Sequence, residues 1–135
     1  LIEQAINGRE IELAVLGNQQ PSVTVAGEIR PGDEFYSYDA KYSGDSASQV
    51  DIPADLKPEI LDQLQEYARR AYRAVNGAGM SRIDFFVTQD DVIYLNEINS
   101  IPGFTNISMY PKLWQAMGLK YPELIDKLIM LALEK

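Results

Sequence analysis

The sequence predicts an α+β domain, an antiparallel sheet with helices packed on one face. Three observations carry that expectation. Residues 10–16, and both halves of residues 82–99, show the two-residue periodicity of strands. Three other segments repeat apolar residues at helical spacing with Pro near the first turn, and Gly77 and Gly118 close two of them. Strands outnumber the strand–helix–strand crossovers that a parallel sheet would need.

Taken in order, residues 10–16 alternate Ile11, Leu13 and Val15 with Glu12 and Ala14, as a strand does. Residues 17–21 read as a turn, and a second strand over residues 22–29 completes an expected antiparallel hairpin. Residues 31–48 break both periodicities: Gly, Ser and Asp alternate with Phe35, Tyr36, Tyr38 and Tyr42 around a lone Lys41. A loop of that length in a compact domain is usually functional or disordered. The longest helix is expected over residues 58–75, with a stripe of Ile60, Leu61, Leu64, Tyr67, Ala68, Ala71, Tyr72 and Val75. A short helix over residues 111–117 follows, and a last one starts near Pro122, burying Leu124, Ile125, Leu128, Ile129 and Leu131 or Ala132.

Composition narrows the chemistry. The chain has 135 residues, enough for one modest domain with a core. It opens without Met or a signal-peptide pattern, which reads as a piece of something longer. With no Cys there is neither a disulfide framework nor thiolate chemistry, and a cytoplasmic location is the expectation. With no His, imidazole bases, Ser–His triads and typical zinc sites are excluded together. Catalysis would have to use carboxylates, Lys, Arg, hydroxyls, backbone groups or a hard metal. A net charge of −8 without a basic stripe argues against nucleic acid as a partner, and no apolar run is long enough for a bilayer.

The most informative stretch is Arg82-Ile83-Asp84-Phe85-Phe86-Val87, Thr88-Gln89-Asp90-Asp91, Val92-Ile93-Tyr94-Leu95-Asn96-Glu97-Ile98-Asn99. Two apolar strands around a polar turn predict a hairpin. With Asp90-Asp91 at its tip, Asp84 faces Glu97 and Arg82 faces Asn99, all four on one side. Opposed Asp and Glu side chains, about 5 Å apart at Cβ, repel, so stability does not explain them. A divalent cation would remove the repulsion, and carboxylates with an amide oxygen suit Mg²⁺. The competing reading is a solvated polar face, common on antiparallel sheets, and the pattern by itself leaves both open. The loop of residues 100–109 then runs from these residues into a helix. Gly103 permits close backbone approach, and Ser108 lies at a helix N-terminus that favours a carboxylate or phosphate, or is simply a cap. Phe85, Phe86, Tyr94 and Trp114 are expected in the core, and Asp90 and Asp91 in the turn.

Residues 97–114, Glu-Ile-Asn-Ser-Ile-Pro-Gly-Phe-Thr-Asn-Ile-Ser-Met-Tyr-Pro-Lys-Leu-Trp, are very similar to the signature of D-alanine–D-alanine ligases, which belong to the ATP-grasp superfamily. Residues 8–17 resemble that family's nucleotide-side strand, and Tyr36-Ser37-Tyr38-Asp39-Ala40-Lys41-Tyr42 its active-site lid. The likeness covers nearly the whole chain and implies the C-terminal ATP-grasp domain, residues 1–135, with the domains upstream absent. It implies an ATP-dependent reaction in which one D-alanine is phosphorylated and the amine of a second attacks the acyl phosphate. The dipeptide product serves cell-wall precursors in the cytoplasm.

Residue by residue, the resemblance implies that Asp84, Glu97 and Asn99 hold Mg²⁺ or Mn²⁺. Arg82 and the Gly103 N–H would stabilise the oxyanion. Glu10 would bind the ribose, Glu3 the adenine pocket, and Asn96 would lie with the nucleotide. Lys41 would reach the γ-phosphate as the lid closes, and Tyr42 beside it would favour dipeptide over depsipeptide. Ser108 and Met109 would meet the second D-alanine. The family's first D-alanine site and part of its phosphate grip lie upstream, so this piece alone is expected to be inactive, and its parent to be a homodimer. The alternatives are another ATP-grasp carboxylate–amine ligase, or a non-catalytic interaction module that inherited the sheet.

Overall fold

The computed structural model describes residues 2–30 and 49–134. The elements in chain order are β1 (Arg9–Leu16), β2 (Ser22–Val23), β3 (Gly27–Arg30), β4 (Gln49–Asp51), α1 (Pro58–Ala74), β5 (Met80–Val87), β6 (Ile93–Asn99), α2 (Met109–Ala116) and α3 (Tyr121–Leu133). Every strand pairing is antiparallel, in the order β4-β3-β1-β5-β6, with β2 also on β1. The expected α+β class and antiparallel sheet are therefore what the chain forms. The lid residues Lys41 and Tyr42 lie outside the described residues.

The strand expected over residues 22–29 is split. Val23 pairs with Val15, but Gly27 pairs with Glu12, one residue out of step. Thr24 bridges the break: its N–H donates to the Ala14 carbonyl at 3.0 Å, and its hydroxyl accepts the Ala14 N–H at 3.0 Å. A side chain thus completes the ladder where the backbone cannot.

The helices cover both faces of the sheet, which corrects the one-face expectation. On β1, Ile11, Leu13 and Val15 pack with Ile60, Leu64, Ala68 and Tyr72 of α1. Ala14 and Leu16 point the other way, into Tyr110, Leu113 and Trp114 of α2 and Leu124 of α3. A central strand covered on both sides reads as a near-continuous apolar run, and β1 from Ala14 to Leu16 has that form. Alternation alone hides it, because Glu12 interrupts the run.

Helix stripes are narrower than their sequence patterns. On α1, Tyr67 and Val75 are exposed, and on α3 only Leu124 is fully buried, with Ile125 and Ile129 exposed. α3 packs on α2 rather than flat on the sheet, so one line of residues meets the core. Phe85 and Trp114 are core as expected, but Tyr94 is 42% exposed because β6 is an edge strand. Met109 packs into the space above Gly27, where a Cβ would stand 2.7 Å from its sulfur, so Gly27 lets α2 sit close to β3.

Candidate functional site

The register of β3, β1, β5 and β6 lays side chains of one sheet face in three cross-strand rows. Ile29, Glu10, Phe86 and Tyr94 form the first; Gly27, Glu12, Asp84 and Glu97 the second; Ala14, Arg82 and Asn99 the third. Rows two residues apart along a strand are separated by about 6.7 Å. A β-bulge makes this possible. Near the turn, Val87 pairs with Ile93 and Phe85 with Leu95, a register that would bring Asn96 opposite Asp84. The ladder shifts between Asp84 and Phe85, leaving Asn96 as the extra residue and bringing Glu97 opposite Asp84. The pairing expected from the sequence is correct, although the turn spans residues 88–92 rather than tapering to Asp90-Asp91. Asp91 supports it with φ of 62°, a conformation Asp tolerates, and its carboxylate bonds Lys57.

The Arg82 guanidinium lies among three carboxylates. Nε and Nη2 donate to Asp84 Oδ1 and Oδ2 at 2.8 and 2.7 Å, a two-pronged pair. Nε stands 3.1 Å from Glu12 Oε2, and Nη2 3.9 Å from Glu97 Oε1. Asp84 and Glu12 are only 3% and 2% exposed, whereas the Glu97 side chain is 55% exposed. Burial pushes the Asp84 carboxyl above its ordinary value, Glu97 adds to the rise, and Arg82 opposes it without cancelling it. Burial also works against the Arg82 charge, but the bond to Asp84 and the charges of Glu12, Asp84 and Glu97 outweigh it, so Arg82 stays cationic.

The donor set fits a hard divalent cation. Asn99 Nδ2 donates to Asp84 Oδ2 at 3.0 Å and to Glu97 Oε1 at 2.9 Å, standing where a cation shared by the two carboxylates would sit. Rotating the amide end would offer its oxygen instead, giving two carboxylates and an amide oxygen, which suit Mg²⁺ or Mn²⁺. Each carboxylate oxygen has a second lone pair, so Asp84 can serve Arg82 and a cation together. Among the described residues no group of three or more His, Cys, Asp or Glu side chains is placed to hold a metal ion; the donors gathered here are two carboxylates and the Asn99 amide.

The remaining expected residues distribute as follows. Gly103 lies against Ser108, whose Oγ would be 3.0 Å from a Cβ there. The Ser108 hydroxyl accepts the Thr105 N–H at 3.0 Å and shares a hydrogen bond with Thr105 Oγ1 at 2.9 Å, so it ties the loop instead of capping α2. Phe104 fixes this loop to the core: its ring packs on Tyr110 and Tyr121, and its carbonyl accepts from the Tyr121 hydroxyl at 2.7 Å. The Met109 side chain packs above Gly27, and its backbone N–H lies in the first turn of α2, where N–H groups have no intrahelical partner. Glu10 shares the cluster's sheet face one row away, Asn96 is exposed at the bulge, and Glu3 is exposed ahead of β1. A groove of about 580 Å³ between α1 and β6, lined by Tyr67, Ala71, Phe85 and Leu95, lies on the opposite face.

Sequence reasoning missed Glu12. Its signal was an acidic residue inside an otherwise apolar strand, legible as a site residue only once β1 is known to be covered on both faces.

Comparisons with known proteins agree with this geometry. The family described as "D-ala D-ala ligase C-terminus" matches residues 1–130. D-alanine–D-alanine ligase A of Salmonella typhimurium is 53% identical over all 135 residues, which amount to 37% of its own length. The structure of the D-alanine–D-alanine ligase from Coxiella burnetii superposes with a TM-score of 0.84 at 45% identity, over 98% of this chain and 34% of that one. A D-Ala:D-Ser ligase from Enterococcus faecalis superposes with a TM-score of 0.82 at 38% identity, over 95% of this chain and 37% of that one. The chain thus spans a little over a third of the length of the curated relative it matches. A match over nearly every residue, on a sheet whose rows gather the signature side chains, places the chain in the D-alanine–D-alanine ligase C-terminal family.

Proposed function

We propose that the protein carrying this chain joins two D-alanines at the expense of ATP, with Mg²⁺ or Mn²⁺ as cofactor. The observation that most supports this is the row opposing Asp84 to Glu97, with Arg82 and Asn99 in the next row. In the reaction a carboxylate oxygen of one D-alanine attacks the γ-phosphorus of ATP, and ADP leaves. The amine of the second D-alanine then attacks the acyl carbon, the C–O bond to phosphate breaks, and the amine loses a proton.

Asp84, Glu97 and Asn99 would hold the divalent ion, which when bound neutralises charge on the transferring phosphoryl group. Arg82 and the Gly103 N–H would bind the oxyanion of the tetrahedral intermediate. The Ser108 hydroxyl and the first-turn N–H groups of α2 would receive the carboxylate of the second D-alanine, with the Met109 N–H among them. Glu10 would bind the ribose hydroxyls, with Glu3 and Asn96 beside the nucleotide. Lys41 would neutralise the γ-phosphate as the lid excludes water, and Tyr42 next to it favours an amine acceptor over a hydroxy acid. The dipeptide would feed peptidoglycan precursor synthesis in the cytoplasm, in a homodimeric parent. No described helix is long and apolar enough to cross a membrane.

A second reading, a mixed D-alanine–D-serine ligase, has one observation in its favour, the likeness to the Enterococcus faecalis enzyme. Phosphate release from ATP by the complete parent separates the two. The parent is offered Mg²⁺ with D-alanine, L-alanine, D-alanine plus D-serine, or D-alanine plus D-lactate, and the products are resolved by mass. Release with D-alanine alone, giving mainly the dipeptide, is expected, and the isolated 135-residue piece is expected to release none. A dominant mixed product would favour the second reading, and no D-alanine-dependent release would refute both.

A further inference from the structure

We propose that Glu12 is a positioning residue for this reaction, holding the Arg82 guanidinium in place while Asp84 and Glu97 turn their oxygens to a divalent cation. The inference rests on the function proposed above.

Packing does not explain Glu12. It lies on β1, flanked by β3 and β5, is 2% exposed, and stands directly opposite buried Asp84. Like charges opposed across a ladder destabilise, and a buried carboxylate costs several kcal/mol unless it is paired. Ala14 and Leu16, on the same strand face, are apolar and pack normally. Arg82 supplies a compensating charge, with Nε 3.1 Å from Glu12 Oε2.

The arrangement has a division of labour. Of the three carboxylates around Arg82, two are the proposed metal ligands, and a cation draws negative charge from both. Glu12 is the third and is not among the proposed ligands, so a bound cation would leave its charge beside Arg82. Like Asp84, Glu12 is buried on a strand paired on both sides, whereas the Glu97 side chain is 55% exposed on the edge strand. The contacts of Arg82 to Asp84 and Glu12 use the Nε–Nη2 edge, and the Nη1 donors stay available for a substrate oxygen. Without the charge of Glu12, Arg82 would depend on Asp84 and Glu97 alone, and would compete with the cation for them.

The test uses the complete parent as wild type, Glu12→Gln and Glu12→Asp. Mg²⁺ is titrated while D-alanine-dependent phosphate release is followed, and folding is checked by thermal melting. Glu12→Gln is expected to raise the Mg²⁺ concentration for half-maximal rate about tenfold and to lower kcat about 10- to 100-fold, as loss of a residue supporting metal ligands does. The KM for ATP should stay within about threefold, since Glu10, the proposed ribose ligand, lies in another row. Glu12→Asp, which keeps the charge, should recover part of both effects. A folded Glu12→Gln protein with wild-type Mg²⁺ dependence and kcat overturns the proposal. So does one whose rate falls only with its folded fraction while the Mg²⁺ midpoint stays put. If Glu12→Gln does not fold, Glu12→Asp decides: an unchanged midpoint and kcat overturn the proposal, and a smaller shift in the same directions supports it. A wild-type parent inactive on D-alanine would instead overturn the ligase function, and this inference with it.

Discussion

At the scale of single residues, the site is arranged against its own stability. Asp84 is buried opposite Glu97 and Glu12, and its carboxyl is pushed upward by burial first and by Glu97 after it. A carboxyl whose folded pKa exceeds its unfolded value stabilises the fold most below the unfolded value, about 3.9, and that contribution is lost as pH rises. At neutral pH the charged Asp84 therefore contributes less stability than it does at low pH, and a bound cation would offset that loss. Glu97→Gln keeps an oxygen for the Asn99 amide but removes one of the repelling charges. The metal-free parent carrying it should be as stable as wild type or more stable, by up to about 1 kcal/mol. The stabilisation that Mg²⁺ gives wild type should disappear. Thermal melts in chelator and in Mg²⁺ check both, and a clear loss of stability in chelator would show that Glu97 serves the fold.

At the scale of elements, two buried tyrosines lock the helices to β1 and the turn that follows it. Tyr72 of α1 donates to the Gly17 carbonyl at 2.8 Å, and Tyr110 of α2 donates to the Val15 carbonyl at 3.0 Å. Burial pushes the Tyr72 phenol up to about 12 and raises that of Tyr110 as well. Both are favoured in the folded state as neutral acids, so their contribution is complete below pH ~10, the unfolded value, and is lost as pH climbs toward the folded one. Denaturant midpoints should fall steeply above pH ~10, and less steeply in Tyr72→Phe, which should cost about 1 to 3 kcal/mol at neutral pH by stranding the Gly17 carbonyl. A Tyr72→Phe midpoint as pH-sensitive as wild type would contradict this assignment. Much at this scale was legible in the sequence. The 3.6-residue stripe of α1 and the alternation of β1 and β5 are local signals that survive folding. The split of β2 from β3, the two-sided burial of β1 and the bulge at Asn96 were not, because each depends on what a neighbouring strand or helix covers. The opposed pair of Asp84 and Glu97 was found with a turn of the wrong length, and the bulge corrects the register. Glu12 was passed over for the same reason, since its meaning comes from Arg82 on β5.

At the scale of the whole molecule, the chain spans a little over a third of the length of the ligase it matches, and it presents its acidic cluster on a sheet face. The net charge of −8 is not spread evenly in its consequences: one half-buried arginine is set among three carboxylates where, on the proposed function, ATP phosphates would approach. On the proposed function such a face would repel polyanions until a divalent ion bound, and metal dependence would then be a property of the sheet rather than of any one loop. The most direct measurement is D-alanine-dependent phosphate release by the complete parent across a range of Mg²⁺, comparing wild type with Asp84→Asn and Glu97→Gln. Both variants should lose about 100-fold or more in kcat/KM, with less lost at the highest Mg²⁺. A folded Glu97→Gln enzyme with wild-type rate and wild-type Mg²⁺ dependence would contradict the assignment of this row as the metal site.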